Sequence, residues 1–359
     1  MFAKKNIYRS VPILLCSLIL FMALSRLLPI AQAHSEPLEI ISSANNTPPP
    51  QYYSPMTFDS KRNRIVLFSA GAETWEYDGA SWKRILTNNS PSESSLDNMI
   101  YDIHREVIVL YEGRNRNTWE YDGIDWTQIS TQNTPPSRNH VSLAYDGNRQ
   151  VVILSSGRTG TYCNFGGTNY TDVWEYNGVD WVERINSGGP LNEIPSVAYD
   201  PVHNQTIHFA GRHNCNLRNE TWTYDGVDIT QLFPSVSPPP TSGPIVFDEN
   251  LNKIILFGGC QASNSSGCLD HSNDIWTFDG KTWNLLDIIN KPPGRYLHSV
   301  TYDTNRDRLV VFGGCTDFHW GGDCRESVND LWEFDGAEWT EIIVSGKPKI
   351  YLPLILSTP

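Results

Sequence analysis

Six stretches of this chain repeat one short pattern: Trp75-Glu76-Tyr77-Asp78-Gly79, Trp119-Glu120-Tyr121-Asp122-Gly123, Trp174-Glu175-Tyr176-Asn177-Gly178, Trp222-Thr223-Tyr224-Asp225-Gly226, Trp276-Thr277-Phe278-Asp279-Gly280 and Trp332-Glu333-Phe334-Asp335-Gly336. A second aromatic follows in five of the six, as Trp82, Trp126, Trp181, Trp283 and Trp339; in the fourth unit Ile229 takes that place. Upstream of each lies an aromatic-Asp pair: Phe58-Asp59, Tyr101-Asp102, Tyr145-Asp146, Tyr199-Asp200, Phe247-Asp248 and Tyr302-Asp303. Between the two elements runs an apolar stretch ending near Gly, such as Leu309-Val310-Val311-Phe312-Gly313-Gly314. The aromatic-Asp pairs are 43, 44, 54, 48 and 55 residues apart, and each unit holds four short strand-like runs. One four-stranded sheet cannot bury both of its faces, whereas six stacked radially around an axis can. The repeat therefore predicts an all-β, six-bladed β-propeller with four antiparallel strands per blade.

Composition agrees with that architecture. The 359 residues include 12 Trp, 16 Tyr, 13 Phe, 26 Gly and 23 Pro, with only 19% charged, which suits aromatic strands cut by turns and excludes an all-helical chain. A formal charge of −13 excludes the phosphate-neutralising surface of a nucleic-acid binder. Each Asp-Gly between strands suggests a two-residue type I′ turn, which would set Trp75 opposite Trp82. A four-residue turn would instead set Tyr77 opposite Trp82. Either way, the strict spacing of these Trp favours packing over a sugar-stacking platform.

The repeats resemble kelch repeats of the galactose oxidase central-domain superfamily. The resemblance is carried by Gly258-Gly259 and Gly313-Gly314, each followed by Trp and aromatic-Asp, and it covers residues 50–343. The other blades depart from the double glycine: Ala70-Gly71, Glu112-Gly113, Ser156-Gly157 and Ala210-Gly211. It implies a kelch-type propeller but no particular activity, since such folds include both enzymes and interaction modules. The copper ligands of galactose oxidases and the iron pattern of nitrile-specifier proteins have no counterpart in this sequence.

Ahead of the repeats, Lys4, Lys5 and Arg9 precede an apolar run from Val11 to Leu24, and Ala31-Gln32-Ala33 offers small residues for a signal peptidase. Residues 1–33 read as a signal peptide cleaved after Ala33, 34–49 as a lead and 344–359 as a tail. Cleavage removes four cationic residues (Lys4, Lys5, Arg9 and Arg26) and no acidic one, leaving 326 residues, a charge of −17 and six of seven Cys. An even Cys count in an oxidising compartment implies disulfides. Their positions in the blades suggest Cys260–Cys268, Cys315–Cys324 and Cys163–Cys215.

In such blades the connections from strand 2 to strand 3 emerge on one face, and here they are long in blades 3 to 6 (157–171, 211–220, 259–273, 314–329). Long loops on a rigid scaffold are where recognition usually resides. Tyr162, His213, His319 and Trp320 on these loops are candidate ligand contacts. Arg114, Arg158 and Arg212 each follow the glycine ending strand 2 in three successive blades, and together could hold an anionic group. Asp97, His140 and His298 begin inner strands and are the candidate acid–base or metal set near the axis. A wet channel lining is the plainer reading of those three.

No nucleophile elbow, zinc-protease motif, P-loop or dinucleotide fingerprint is present. The sequence thus points to a secreted, non-catalytic, monomeric recognition module for an extracellular protein or glycan. No cofactor, metal, nucleic acid or membrane span in the mature chain is expected. The alternative is a carbohydrate-active or oxidase-type enzyme with its site at the axis.

Overall fold

The computed structural model describes residues 47–92, 98–160, 167–190, 196–213, 216–264, 267–318 and 324–343. Residues 1–46 and 344–359, and Asp97, Tyr162, Cys163, Cys215, His319 and Trp320, lie outside the described residues, and with them the expected signal peptide and the Cys163–Cys215 pairing.

The described residues form six blades and no helix. Blade 1 comprises Met56–Asp59, Arg64–Ser69, Glu73–Tyr77 and Trp82–Ile85; blade 2 Asn98–Asp102, Val107–Glu112, Asn117–Tyr121 and Trp126–Ile129. Blade 3 comprises Ser142–Asp146, Val151–Ser155, Val173–Tyr176 and Trp181–Ile185; blade 4 Ser196–Asp200, Gln205–Phe209, Thr221–Tyr224 and Ile229–Leu232. Blade 5 comprises Ile245–Asp248, Lys253–Asn264, Gly267–Phe278 and Trp283–Leu286; blade 6 Ser299–Asp303, Arg308–Phe312, Leu331–Phe334 and Trp339–Ile342. Within each blade the strands pair antiparallel in chain order. The first strands neighbour one another around the axis, and that of blade 6 returns to that of blade 1. Blade 6 keeps its own fourth strand, so the ring closes by packing of blade 6 on blade 1.

The second strands explain how the core is shared. Alternate residues point to opposite faces: Ile65 and Leu67 of blade 1 pack with Val310, Phe312 and Leu331 of blade 6, while Val66 and Phe68 pack with Met99, Leu110 and Trp126 of blade 2. These side chains are buried, at roughly 1.5–3 kcal/mol of hydrophobic stabilisation apiece.

The structure corrects the two-residue turn. Tyr77, not Trp75, stands opposite Trp82, with ring centroids 5.2 Å apart; Tyr121–Trp126 (5.1 Å), Tyr176–Trp181 (5.1 Å), Phe278–Trp283 (4.9 Å) and Phe334–Trp339 (5.0 Å) repeat the pair. The physical reason is the side chain before the glycine. Asp78 Oδ1 accepts the amide hydrogens of Ala80 (2.9 Å) and Ser81 (2.8 Å), which stabilises a four-residue connection. Asp122, Asn177, Asp225, Asp279 and Asp335 do the same in their blades. Only the glycine of each pair has positive φ, 94° at Gly79, whereas a type I′ turn needs both residues there.

The repeated Asp, Arg, Glu and Tyr assemble into latches between blades. Arg62 bonds Asp59 at 2.7 Å and pairs with Glu76, both in blade 1, and Glu76 accepts the hydroxyl of Tyr121 in blade 2 at 3.0 Å. The Arg62 guanidinium lies 5.3 Å over the Tyr121 ring and passes close over Gly123, whose left-handed φ of 94° and missing Cβ leave it room. Tyr176 on Glu120 (2.8 Å), Tyr224 on Glu175 (2.9 Å) and Tyr77 on Glu333 (3.4 Å) repeat the latch, the last joining blade 6 to blade 1. At the two remaining seams the acids become Thr223 and Thr277, and the partner phenols become Phe278 and Phe334. Where the acceptor is absent, so is the hydroxyl that would be buried without it.

Candidate binding site at the mouth of the axial channel

Along the axis runs a cavity of about 500 Å³. One end is ringed by the residues following each aromatic-Asp pair: Ser60, Ile103, Gly147, Pro201, Glu249 and Thr304. Tyr53, His140 and Leu297 stand at the other end, on the face of the long connections. These three are equivalent positions in blades 1, 3 and 6, each just before an inner strand and each with left-handed φ (61°, 59° and 57°). His140 is therefore the counterpart of Leu297 rather than of His298.

Two buried cross-braces hold this end in place. Arg138 grips Asp172 through both oxygens (2.5 and 2.6 Å), and Arg295 grips Asp330 likewise (2.6 and 2.8 Å). Each Asp also accepts an indole N–H, from Trp174 and Trp332, at 2.8 Å. Each Arg donates Nε to the carbonyl two residues back, of Pro136 or Pro293. The recurring Pro-x-Arg before blades 3 and 6 thus pins the entry to the inner strand with a bidentate, charge-assisted pair.

The structure brings Arg114, Arg158 and Arg212 into one arc with His140. Arg114 donates Nε to the Asn139 side chain, and the Asn139 and Arg158 backbones pair with each other at 2.8 and 3.0 Å. Arg158 pairs through its backbone with Asn169, whose side chain meets His213 at 3.3 Å, next to Arg212. Arg212 reaches Cys260 Sγ at 3.4 Å in blade 5. Arg114 is exposed, whereas Arg158 and Arg212 are 2% and 3% exposed. Burial, then the charges of the three arginines, pushes His140 down to about 4, so its imidazole is neutral at physiological pH.

His298 is set apart from this arc. It lies under Gly258 and Gly314, edge-on to Phe257 with centroids 5.4 Å apart. Burial, then the charge of Arg295, pushes it down to about 3. Among the described residues no group of three His, Cys, Asp or Glu is arranged to hold a metal ion.

The long connections of blades 4, 5 and 6 contain β-ribbons, while the described part of the blade 3 connection holds only the Arg158–Asn169 bridge. Strands 2 and 3 of blade 5 continue to Asn264 and from Gly267 as one arm, while Arg212–His213 with Asn216–Leu217 and Cys315–Phe318 with Cys324–Ser327 form short ribbons in blades 4 and 6. Disulfides join Cys260 to Cys268 and Cys315 to Cys324. Cys260, Cys268 and Cys315 pack with Tyr296, Leu217, Leu297 and Cys324 in a small core of their own. The face is accordingly divided, with a cationic arc on blades 2 to 4 and a cross-linked apolar crown on blades 4 to 6.

Tyr52, Tyr53 and Tyr296 escaped the sequence reading of this mouth. Tyr53 is 5.7 Å from the His140 ring and 6.1 Å from Tyr52. The signal that finds them is their alignment: Gln51-Tyr52-Tyr53 occupies the place of Arg138-Asn139-His140 and Arg295-Tyr296-Leu297.

No protein-family model matches the chain. Over 90 residues it is 34% identical to dynein regulatory complex subunit 7 of Chlamydomonas reinhardtii, a match covering 24% of this chain. The match accounts for 7% of that relative's length.

Proposed function

We propose that this chain is a secreted, monomeric, kelch-type recognition propeller that holds an extracellular protein or glycan on its long-connection face. The observation that carries the reading is the asymmetry of the two faces. One has tight turns such as Asp78–Ser81, and the other bears three ribbons, two disulfides and a polar arc around the channel mouth. Rigid, cross-linked projections on a closed scaffold suit binding, because little conformational entropy is lost when a partner docks. The disulfides accord with residues 1–33 acting as a signal peptide and with an oxidising destination. No helix among the described residues is long and apolar enough to cross a membrane.

The test is to shorten the ribbons. Replacing 259–273 and 314–329 by the Ala70-Gly71-Ala72 connection of blade 1 should abolish binding to ligands found on an array of extracellular glycans and proteins. Cooperative urea unfolding should persist, showing that the six blades still fold. Undiminished binding by the shortened protein would overturn the assignment of this face.

A further inference from the structure

We propose that the tight-turn end of the axial channel binds a single-chain organic cation, with its alkyl chain along the inner strands and its ammonium head at Glu249. This site goes beyond recognition by the long connections and lies at the opposite end of the channel from them. The cavity of about 500 Å³ is of small-molecule size, and its polarity is graded along the axis. Just inside the rim, the aromatics of the aromatic-Asp pairs form a collar: Phe58, Tyr101, Tyr145, Tyr199, Phe247 and Tyr302. The hydroxyls of Tyr145, Tyr199 and Tyr302 meet His104 (2.9 Å), Asn204 (3.4 Å) and the Asn250 amide (3.4 Å), none of which lines the cavity. Two residues further in, the wall is Met56, Met99, Leu143, Val197, Ile245 and Val300. Between these two rings Thr57 already accepts the Tyr101 N–H at 3.2 Å. Hydroxyls without partners, those of Ser54 and Ser242, lie toward the other mouth. From Ser60 at the rim to Met56 the inner strand climbs about 13 Å, room for about ten methylenes.

The charge of the ligand follows from the rim. Among the described lining residues Glu249 alone is charged at neutral pH, because burial keeps His140 and His298 neutral. In four blades the residue three after the Asp is an arginine, at 62, 105, 149 and 306, whereas after Asp248 it is Leu251. Glu249 therefore has no cationic partner among the described residues. Burial, then the charges of Asp307 and Asp248, pushes its carboxyl above the ordinary range. A cation held at this rim relieves a repulsion that the fold leaves uncompensated. The formal charge of −13 also draws cations and repels the anionic head of a soap. An apolar tube that ends at one carboxylate matches an apolar chain that ends in one positive charge. A cationic peptide fits less well, because it would bring backbone amides into a collar that offers them no partners.

The experiment is calorimetric titration of the whole chain with decyltrimethylammonium, decanol, decanoate and tetramethylammonium, all below micellar concentrations. We expect one decyltrimethylammonium per chain, decanol about fivefold weaker, and no binding of decanoate or tetramethylammonium at matched concentration. Shortening the chain to octyl should weaken binding about fifteenfold, the loss of two buried methylenes. Glu249→Gln should weaken the ammonium about fivefold, the upper end for an exposed ion pair, and leave decanol unchanged. Gly147→Trp combined with Thr304→Trp narrows the rim from blades 3 and 6 and should weaken both ligands at least about tenfold. A Cβ at Gly147 meets only Tyr145, at 3.8 Å, so that turn has room for a side chain. Glu249, Gly147 and Thr304 lie on turns, and the thermal midpoints of the unliganded variants should not fall. Equal binding of decanol and the ammonium, indifference to Glu249→Gln, undiminished binding by the rim variant, uptake of several ammonium ions per chain, or no binding at all would each overturn the proposal.

Discussion

The latch between blades 1 and 2 makes a quantitative prediction, because the protein already contains the corresponding double substitution. Glu76 and Tyr121 at this seam are replaced by Thr223 and Phe278 at the seam of blades 4 and 5. Burial, then the Glu76 charge, pushes the Tyr121 phenol above its ordinary range, so it is a donor at every working pH. Tyr121→Phe removes a 3.0 Å bond to a carboxylate, and Arg62 still holds that carboxylate, so we expect a loss of about 1.5 kcal/mol, the low end for charged acceptors. Glu76→Thr strips Arg62 of one of two carboxylates and leaves the Tyr121 hydroxyl buried without an acceptor. With Asp59 still paired, about 3 kcal/mol is expected, the lower bound for breaking a buried pair. Removing the orphaned hydroxyl as well relieves part of that cost, so the double variant should lose no more than the Glu76→Thr variant, giving a coupling of at least about 1.5 kcal/mol. Urea unfolding followed by Trp fluorescence measures all four proteins. Additive losses, or a Tyr121→Phe variant as stable as the parent, would refute the latch.

Two further outcomes follow from buried polar groups. His208 and His298 are pushed down by burial to about 4 and about 3, from an ordinary 6.5. The unfolded chain then takes up protons first on acidification, so this stability is complete above pH 6.5 and lost as pH falls toward those values. Each histidine adds a slope of about 1.4 kcal/mol per pH unit to urea-derived stability between roughly pH 4 and 6. His208→Leu, which installs the residue found at Leu67, Leu110, Leu154 and Leu256, should flatten the slope by one proton. The indole N–H of Trp126 donates to Thr74 of the preceding blade at 2.8 Å, and Thr74→Val should cost about 1–3 kcal/mol in the same assay by leaving that donor buried and unpaired.

The sequence by itself determined the blade count, the strand order within a blade and the face that carries the long connections. Those follow from a local period that any stacking must respect: aromatic-Asp, apolar run, Trp-x-aromatic, glycine. Coupling between neighbouring units is also written there. At four of the six seams acceptor and indole agree: Val173 replaces Thr where Ile229 replaces Trp, and Trp126, Trp181 and Trp283 keep Thr74, Thr118 and Thr221 at 2.8, 2.8 and 3.0 Å; at the other two, Trp339 and Trp82 remain although Ile275 and Leu331 replace Thr. Turn length was not decided by the Asp-Gly pair alone, because the Asp side chain competes for the backbone amides that define the turn, and the winner sets which aromatic faces Trp82. Only the tertiary structure decided what lies at the axis. His140 and His298 look alike in sequence, yet one faces the channel mouth in left-handed conformation and the other is packed under two glycines of neighbouring blades. Tyr53 and His140 stand 5.7 Å apart at that mouth although blades 1 and 2 separate them along the chain. The reason is physical: a radial fold brings equivalent positions of different repeats to one ring, and which side chain faces the opening depends on backbone handedness and on the neighbour's packing, neither of which a linear spacing contains.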